Sequence, residues 1–505
     1  MYALERARAL FDLADVRARY GDVAEPGPWD ATMDLRDLLL VYERLTPVQK
    51  IVADGLLARP DDTGGDGAGA PKYGGVAPET PLCDANGCVH WVESGRHRAL
   101  PGDGNSNGIP DYVEAVQTTL DTVSKTEVTD FGFRAPKSDV KSSNHGPDGK
   151  LDIYLADVGA DGYYGYCTSD DPHLHSGYRY WDVSAYCVVD NDFDPGQFRG
   201  ANGVAALQVT LAHEFFHAVQ FAYDIGEDRW WMEATATWME DEVYDEIDDN
   251  VRYLTSSPVT KPGTPIDSNN TSSFVYGDWI FFRFVSEFFG TDPNHDISVV
   301  RHAWNVADGA KGGRDQYSLQ AIASATKAAG SSFRQVFAVF GAVNDVAPAW
   351  YDEGQSNNAG TEYPVPPLAA KPIKISKRHR EDSDTFKTKH LTNTYVEFVP
   401  GKGVSSTAHL RIRLGLPDLS TGSAATAAVI RSSGVVSFVR AKLGKDGDGK
   451  LRLQFGKGQI SAVDLVLTNA STRTRCWVDR HLKYSCDGNP KDDGVAYRYA
   501  ASLDQ

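Results

Sequence analysis

Apolar residues follow different periodicities along the chain, and each periodicity predicts its own kind of element. Residues 204–223 are apolar on nearly every face of a helix, which predicts a buried helix. Residues 1–58 also show helical patterns, and Thr46 and Gln49 form a capping box at the start of one helix. Over residues 410–416 apolar and charged positions alternate, which predicts a strand with one buried face.

These patterns divide the chain into five segments. We predict a helical N-terminal segment, a Gly/Pro/Asp-rich linker, a body of mixed helices and short strands, a Pro-rich linker and a β-sandwich, over residues 1–58, 59–80, 81–352, 353–384 and 385–505 respectively. Stretches such as LDIYLAD and AYCVVD are typical of short strands between helices. The predicted fold class is α+β with an N-terminal helical segment and a C-terminal β-sandwich.

The N-terminal segment has two interpretations at this stage. It is either a pro-segment that is removed on activation or a helical hairpin that stays attached. The first cysteine of the chain is Cys83. A thiolate from residues 1–58 therefore cannot block a metal site in the body.

An HExxH motif occupies the predicted buried helix. His213 and His217 are four residues apart, so both imidazoles can reach one metal ion, while Glu214 lies beside the water that the ion would carry. A core helix rarely carries two histidines and a glutamate unless a metal compensates for their desolvation. The motif predicts a catalytic zinc site; a hydrogen-bonded pair of core histidines is the alternative.

A catalytic zinc ion needs a third protein ligand and one open position. After the polar break DIGEDR, the stretch WWMEATATWMEDEVYDEIDDN predicts a second helix that carries Glu233, Thr237 and Glu240 on one face. A hairpin of the two helices would return Glu233 to the histidines, so Glu233 is the predicted third ligand. Asp224 and Glu227 in the connection are alternatives, and Glu240 is either a ligand or a partner that orients a histidine.

The two motifs together resemble a known family. HEFFHAVQ followed by WWMEATATWMED is similar to the gluzincin branch of the zincin metallopeptidases, and more narrowly to secreted bacterial metalloproteases of the peptidase MA-like group. The resemblance is strong over residues 205–245 and looser from about residue 80 to 350. It implies a zincin-like catalytic domain with zinc ligands at His213, His217 and Glu233, and with Glu214 as the catalytic base.

Peptide hydrolysis is the reaction that this resemblance implies. Zinc lowers the pKa of its bound water from about 15.7 to near 7, and Glu214 takes up the remaining proton as the water attacks a polarised carbonyl. By resemblance, Tyr276 is the candidate donor to the developing oxyanion. An ordinary packed tyrosine is the alternative, and His295 and His302 are further candidates for the same role.

A second metal motif lies upstream, in DGNSNGIPDYVE. Its side chains are spaced as in an EF-hand calcium loop with Gly108 at the sharp turn, and the predicted calcium ligands are Asp103, Asn105, Asn107, Ile109, Asp111 and Glu114. The residues before the loop predict no entering helix. We expect a structural calcium site, with an Asx-rich turn as the alternative.

Charge and cysteine content indicate the surroundings in which the chain works. With 50 basic and 69 acidic residues, the formal charge is −19, which argues against nucleic acid as a partner. No apolar run is long enough to span a membrane. Local disulfides are the simplest interpretation of the three close cysteine couples, with a zinc–cysteine site as the rival: Cys83 with Cys88, Cys167 with Cys187, and Cys476 with Cys486.

We expect a secreted, extracellular monomer that acts on a protein or peptide substrate. The first residues carry frequent charges and no apolar core, so we expect that a signal peptide is not present in this chain. Two other functions stay open: a calcium-stabilised binding or adhesin protein with a vestigial zincin site, and a zinc hydrolase of non-peptide amides or esters. An intact Glu214 argues against the first, because a vestigial site has no need of a base.

Overall fold

The structure is a computed structural model that describes residues 2–12, 16–18, 31–62, 70–171, 180–198, 202–269, 272–290, 295–478 and 484–504. Its internal contacts divide the chain into two compact units. The first comprises Met1–Asn250 and Trp304–Gln316, and the second comprises Val251–Ala303 and Tyr317–Gln505. This division crosses the predicted body of residues 81–352, whose boundaries stay a prediction.

The first unit combines helices with a five-stranded sheet. Its helices are α1 (Tyr2–Ala9), α2 (Ala31–Val41), α3 (Pro47–Leu56), α4 (Asp111–Ser124), α5 (Gly203–Asp224) and α6 (Arg229–Val243), and the π-helix Lys125–Asp130 follows α4. Its strands are β1 (Leu82–Cys83), β2 (Gly87–His90), β3 (Leu151–Ala156), β4 (Gly165–Thr168) and β5 (Tyr186–Asp190). They lie in the order β1-β2-β3-β5-β4, with β2, β3 and β5 parallel and the two edge strands antiparallel.

The predicted capping box starts α3. The backbone N–H of Thr46 donates to the side chain of Gln49 at 2.9 Å, and the N–H of Gln49 donates to the hydroxyl of Thr46. Pro47 follows at the first helical position, where no N–H is needed. The predicted capping box is therefore confirmed. It could be predicted because all the residues that form it lie within four positions of one another.

Aromatic packing holds the long helix α5 against α6. Phe216 contacts Phe133 edge-on at 5.0 Å between ring centroids, and Trp231 of α6 stacks on Trp304 at 4.1 Å. Trp304 also contacts Phe216 edge-on. Full burial of such side chains contributes about 1.5–3 kcal/mol each. These aromatic side chains are buried in the core around the two motif helices.

α6 ends earlier than its sequence pattern suggests. The pattern continues to Asn250, but Tyr244 leaves the helical conformation with φ −131° and ψ 57°. The following residues are rich in acids, which a helix disfavours at its negative C-terminal end. The predicted connection between the motif helices is present and spans residues 225–228.

The second unit contains the remaining helices and a two-sheet sandwich. The helices are α7 (Phe274–Gly277), α8 (Trp279–Phe289), α10 (Leu319–Ala328), α11 (Phe333–Asn344) and α12 (Ala347–Trp350), while α9 (Ser298–Val306) has residues in both units. The strands are β6 (Ile373–Ile375), β7 (Glu381–Thr388), β8 (Thr392–Pro400), β9 (His409–Gly415), β10 (Ser423–Arg431), β11 (Val436–Arg440), β12 (Lys442–Leu443), β13 (Asp448–Gln454), β14 (Ile460–Asn469), β15 (Thr474–Arg475), β16 (Asn489–Pro490) and β17 (Val495–Asp504). One sheet has the order β11-β10-β14-β8-β6 and the other β12-β13-β9-β17-β7, with β15 and β16 as a separate pair.

The alternation along β9 has the predicted consequence. Leu410, Ile412 and Leu414 are buried in the core between the two sheets, whereas Arg411 and Arg413 are exposed. The α+β class and the C-terminal β-sandwich are therefore confirmed. The sandwich begins before residue 385, because β6 pairs in parallel with β8 from within the segment predicted as a linker.

The three predicted disulfides are present. They join Cys83 to Cys88, Cys167 to Cys187 and Cys476 to Cys486. Such bonds persist in oxidising compartments, which fits an extracellular protein. Within the described ranges, no helix has the length and apolar character needed to cross a membrane.

Candidate metal centre

The two motif helices bring the three predicted zinc ligands together. α5 carries His213 and His217 on one face, and α6 returns Glu233 to that face. The Nε2 atoms of the histidines are 3.0 Å apart, and Oε2 of Glu233 lies 3.3 Å from the first and 3.6 Å from the second. His217 and Glu233 are fully buried, and His213 lies at the edge of the site with 9% exposure.

Hydrogen bonds on the far side of each imidazole orient its ring. Nδ1 of His213 lies 2.6 Å from Oε1 of Glu240, and Nδ1 of His217 lies 2.7 Å from Oε1 of Gln220. A carboxylate and an amide oxygen only accept hydrogen bonds, so each Nδ1 is the donor. In the neutral tautomers both Nε2 atoms then direct a lone pair toward the same point. Two lone pairs at this separation repel each other unless a cation lies between them.

The donor set and its spacing fit zinc. Ligand atoms about 2.0–2.2 Å from a tetrahedral zinc ion lie roughly 3.3 Å from one another. The separations of 3.0, 3.3 and 3.6 Å bracket that value. Both carboxylate oxygens of Glu233 are buried, and neither has a hydrogen-bond partner among the described residues. A carboxylate in this state is costly unless a cation is bound beside it.

The electrostatics of the site favour positive charge between the imidazoles. Burial alone raises the pKa of Glu233, but the two adjacent histidines lower it to about 2. Burial lowers the pKa of His213, yet the carboxylates of Glu233 and Glu240 outweigh it and hold that pKa well above its ordinary value. A proton or a metal ion can supply the charge, and a single metal ion can bind all three groups at once.

Glu214 lies beside the histidines and is held from another element. Its Oε2 accepts a 3.0 Å hydrogen bond from the hydroxyl of Thr32 on α2, and that hydroxyl accepts a 2.9 Å hydrogen bond from the N–H of Cys167. Burial raises the pKa of Glu214 against the opposing charges of His217 and His213. A carboxyl group of raised pKa suits proton transfer near neutral pH.

Two residues of the site, Gln220 and Thr32, were not predicted from the sequence. Gln220 orients His217 through its carbonyl oxygen, and its amide nitrogen donates to the carbonyl of Met232 at 2.8 Å. Its position three residues after His217, on the same helix face, was the available signal. Thr32 is 182 positions from Glu214, so no local pattern could have identified it.

The alternative zinc ligands Asp224 and Glu227 lie at the end of α5 and in the connection that follows it. Asp224 accepts a 2.6 Å hydrogen bond from the N–H of Gly226 and thereby closes the turn after α5. Among the described residues, the group that surrounds the two histidines includes neither Asp224 nor Glu227. Glu240 contacts the far nitrogen of His213, in the orienting position that was one of its two expected roles.

The candidates for oxyanion stabilisation belong to the second unit. Tyr276 is 2% exposed and its ring stacks on Tyr253 at 5.4 Å. His295 lies 3.6 Å from Asp352, and His302 is on α9. The catalytic role of each stays a prediction.

The predicted calcium ligands converge on one exposed loop before α4. Asp103 accepts hydrogen bonds from the N–H groups of Asn107 and Gly108 at 3.1 and 2.9 Å, and Gly108 has the positive φ of 85° that the turn requires. The side-chain amides of Asn105 and Asn107 each donate a hydrogen bond to Glu114 at the start of α4. The remaining predicted ligands are near: the carboxylate of Asp111 accepts from Gly104, and the N–H of Ile109 donates to Asn107.

Comparison with known proteins identifies no family. No family model and no curated protein matches the sequence. A surface-associated copper-binding protein of Methylomicrobium album BG8, CorA, is similar at 9% identity and a TM-score of 0.16 over 27% of this chain and 99% of that chain. A β-glucosidase from Paenibacillus barengoltzii is similar at 8% identity and a TM-score of 0.13 over 26% of this chain and 12% of that chain. TM-scores this low carry no information on fold or function.

Proposed function

We propose that the chain is a zinc-dependent metallopeptidase. The observation that carries the proposal is the buried carboxylate of Glu233, which faces the Nε2 atoms of His213 and His217 and has no hydrogen-bond partner among the described residues, with Glu214 next to the histidines. Two imidazoles and one carboxylate leave a fourth position open, which is the arrangement of catalytic zinc sites. Bound zinc supplies a Lewis acid and a water of lowered pKa.

The residues around that position have separate tasks. His213 and His217 hold their Nε2 atoms toward the metal because Glu240 and Gln220 fix the opposite nitrogens. Glu214 accepts the proton of the attacking water and passes it to the leaving amine. The hydroxyl of Thr32 donates a hydrogen bond to Oε2 of Glu214. Among the described contacts, Oε1 of Glu214 is therefore the oxygen that is available to accept the proton of the water.

Calcium is proposed as a second, structural cofactor. The spacing and convergence of the side chains of residues 103–114 support a hard-cation site on the loop before α4. The three disulfides support the further proposal that the enzyme is secreted.

The test of the enzymatic proposal is cleavage of an unfolded protein substrate by the purified chain. Cleavage should stop with a zinc chelator and return when zinc is added. Glu214→Gln should keep the zinc and the fold but lose roughly 10²- to 10⁴-fold in rate, the usual contribution of a positioned base. The matched control is Glu246→Gln, at an exposed position after α6, which should leave the rate unchanged.

The same variants separate the two other candidate functions. A vestigial binding protein would bind zinc and cleave nothing, in the parent chain as in Glu214→Gln. A hydrolase of small esters or amides would process such substrates with Glu214-dependence but leave protein substrates intact. Full activity of Glu214→Gln would rule out Glu214 as the base.

A further inference from the structure

Helix α2 of the N-terminal segment lies against the metal centre. Thr32, at its start, is 2% exposed and donates its hydroxyl hydrogen to Glu214 at 3.0 Å. The same hydroxyl accepts the backbone N–H of Cys167 in β4 at 2.9 Å. Because Thr32 is fixed by the sheet on one side, it restrains the carboxylate of Glu214 on the other.

The same helix also fixes the connection between α5 and α6. Arg36 is 5% exposed and donates to the backbone carbonyls of Ile225, at 3.4 Å, and Glu227. Asp34 is 1% exposed and pairs with Arg229, the first residue of α6. The start of α6 determines where Glu233 lies, so α2 restrains the third ligand as well as the base.

The chain that follows α3 is anchored in the same unit by buried charge. The guanidinium of Arg59 is fully buried and contacts Asp139 at 2.6 Å and Asp170 at 2.9 Å, with a further ion pair to Asp152. The hydroxyl of Tyr186 in β5 donates to the carbonyl of Leu57 at 2.9 Å. Removal of these N-terminal residues would leave buried carboxylates without their cation, which is strongly destabilising.

We propose that helix α2 is a permanent part of the catalytic unit and that Thr32 is a positioning residue for Glu214. This inference rests on the proposed zinc peptidase function. It chooses between the two interpretations of the N-terminal segment: the segment is not a removable pro-segment, because its removal takes away the support of the base and of the α5–α6 connection.

The first test compares two variants of Thr32 in the full chain. Thr32→Val keeps the shape and removes the hydroxyl, so kcat should fall about 10-fold while KM and zinc content stay at parent values. Thr32→Ser keeps the hydroxyl and should restore kcat to near the parent value. Parent-like kcat in Thr32→Val, or an equal loss in both variants, would contradict a positioning role.

The main readout of the second test is retention of the N-terminal fragment, and this readout requires no turnover. A specific protease site is placed within residues 63–69 of the otherwise complete chain, and the chain is cut there. The N-terminal fragment should then remain bound through gel filtration, with unchanged zinc content and a peptidase activity within about 2-fold of the uncut protein. Release of the fragment would overturn the proposal, and a gain in activity on release would identify the fragment as a pro-segment.

The two tests separate failure of the inference from failure of the proposed function. If the uncut chain binds no zinc, or if Glu214→Gln is fully active, the zinc peptidase proposal fails, and the positioning role of Thr32 fails with it. Retention or release of the N-terminal fragment still decides whether α2 belongs permanently to the unit. A third outcome contradicts the positioning role of Thr32 but not the proposed function. In that outcome the parent binds zinc, its rate depends on Glu214, and Thr32→Val has the kcat of the parent.

Discussion

Two imidazoles of α5 form the centre of the candidate metal site. In His213 and His217, Nδ1 donates a hydrogen bond to an acceptor, and Nε2 faces the carboxylate of Glu233. Three groups that individually disfavour burial become mutually compatible once a divalent cation joins them. The residues that orient the rings should therefore matter for metal affinity.

Glu240→Ala should weaken zinc binding about 10- to 100-fold, because His213 loses the partner that fixes its ring orientation. The matched control is Glu242→Ala on the same helix, whose carboxylate accepts a 2.7 Å hydrogen bond from Trp238. Competition with a zinc-sensitive dye measures both affinities. Equal affinities in the two variants would show that Glu240 does not support the ligand.

Tyr276→Phe should lower turnover about 100-fold with little effect on KM, if the hydroxyl stabilises charge that develops only in the transition state. Tyr253→Phe, in the ring that stacks on Tyr276, is the control and should turn over normally. A purely packed tyrosine would instead cost on the order of 1 kcal/mol in stability and leave the rate intact. Kinetics and thermal unfolding of both variants decide between these roles.

The helices, strands and caps that were predicted from the sequence are those that neighbouring residues determine. The capping box at Thr46, the buried HExxH helix and the alternation along β9 are all local patterns, and the structure contains them. The hairpin that returns Glu233 follows from two helical periods and a short polar break. These features could be predicted because the residues that determine them lie close together in the sequence.

Other elements could not be predicted because their determinants are distant in sequence or compete locally. The hydrogen bond from Thr32 to Glu214 joins positions 182 residues apart, and helix periodicity carries no information about such a contact. The end of α6 at Val243 reflects competition between apolar periodicity and a run of acids at the helix C-terminus. Strand β6 has three residues, too few to show an alternation.

Calcium should raise the thermal stability of the chain through the loop before α4. A ligand bound only by the native state stabilises it by about 2.7 kcal/mol at a hundredfold excess over its Kd. Asp103→Ala should abolish this response. Asp148→Ala, in an exposed Asp-Gly turn that lacks the calcium spacing, should respond like the parent. An unfolding midpoint of the parent that does not change with calcium would contradict the predicted site.

At the scale of the whole molecule, the large negative charge and the three disulfides fit a protein exposed to an extracellular medium. Not all acids lie at the surface. In the sandwich, Asp464 is 4% exposed on β14, beside the carboxyl groups of Asp345 and Glu397. Burial raises the pKa of Asp464 to about 9 from its ordinary 3.8, and the two neighbouring carboxyl groups add to the shift.

This buried acid gives the stability of the second unit a defined pH dependence. Between its unfolded and folded pKa values Asp464 holds a proton that the unfolded chain releases, so its contribution to stability falls as the pH rises through that window. Asp464→Asn removes the titration and should stabilise the chain more at about pH 9 than at about pH 5, by on the order of 1 kcal/mol or more. The exposed Asp446→Asn is the control. Equal effects of Asp464→Asn at both pH values would contradict the prediction.

The most direct test of the proposed metal centre is the zinc content of the purified chain at neutral pH, measured by elemental analysis for the parent and for His213→Ala. We expect one tightly bound zinc ion per chain in the parent and a loss of that ion when His213 is replaced, because two ligands do not hold zinc as three do. A parent chain without zinc, or a His213→Ala variant that retains zinc as well as the parent does, would contradict it.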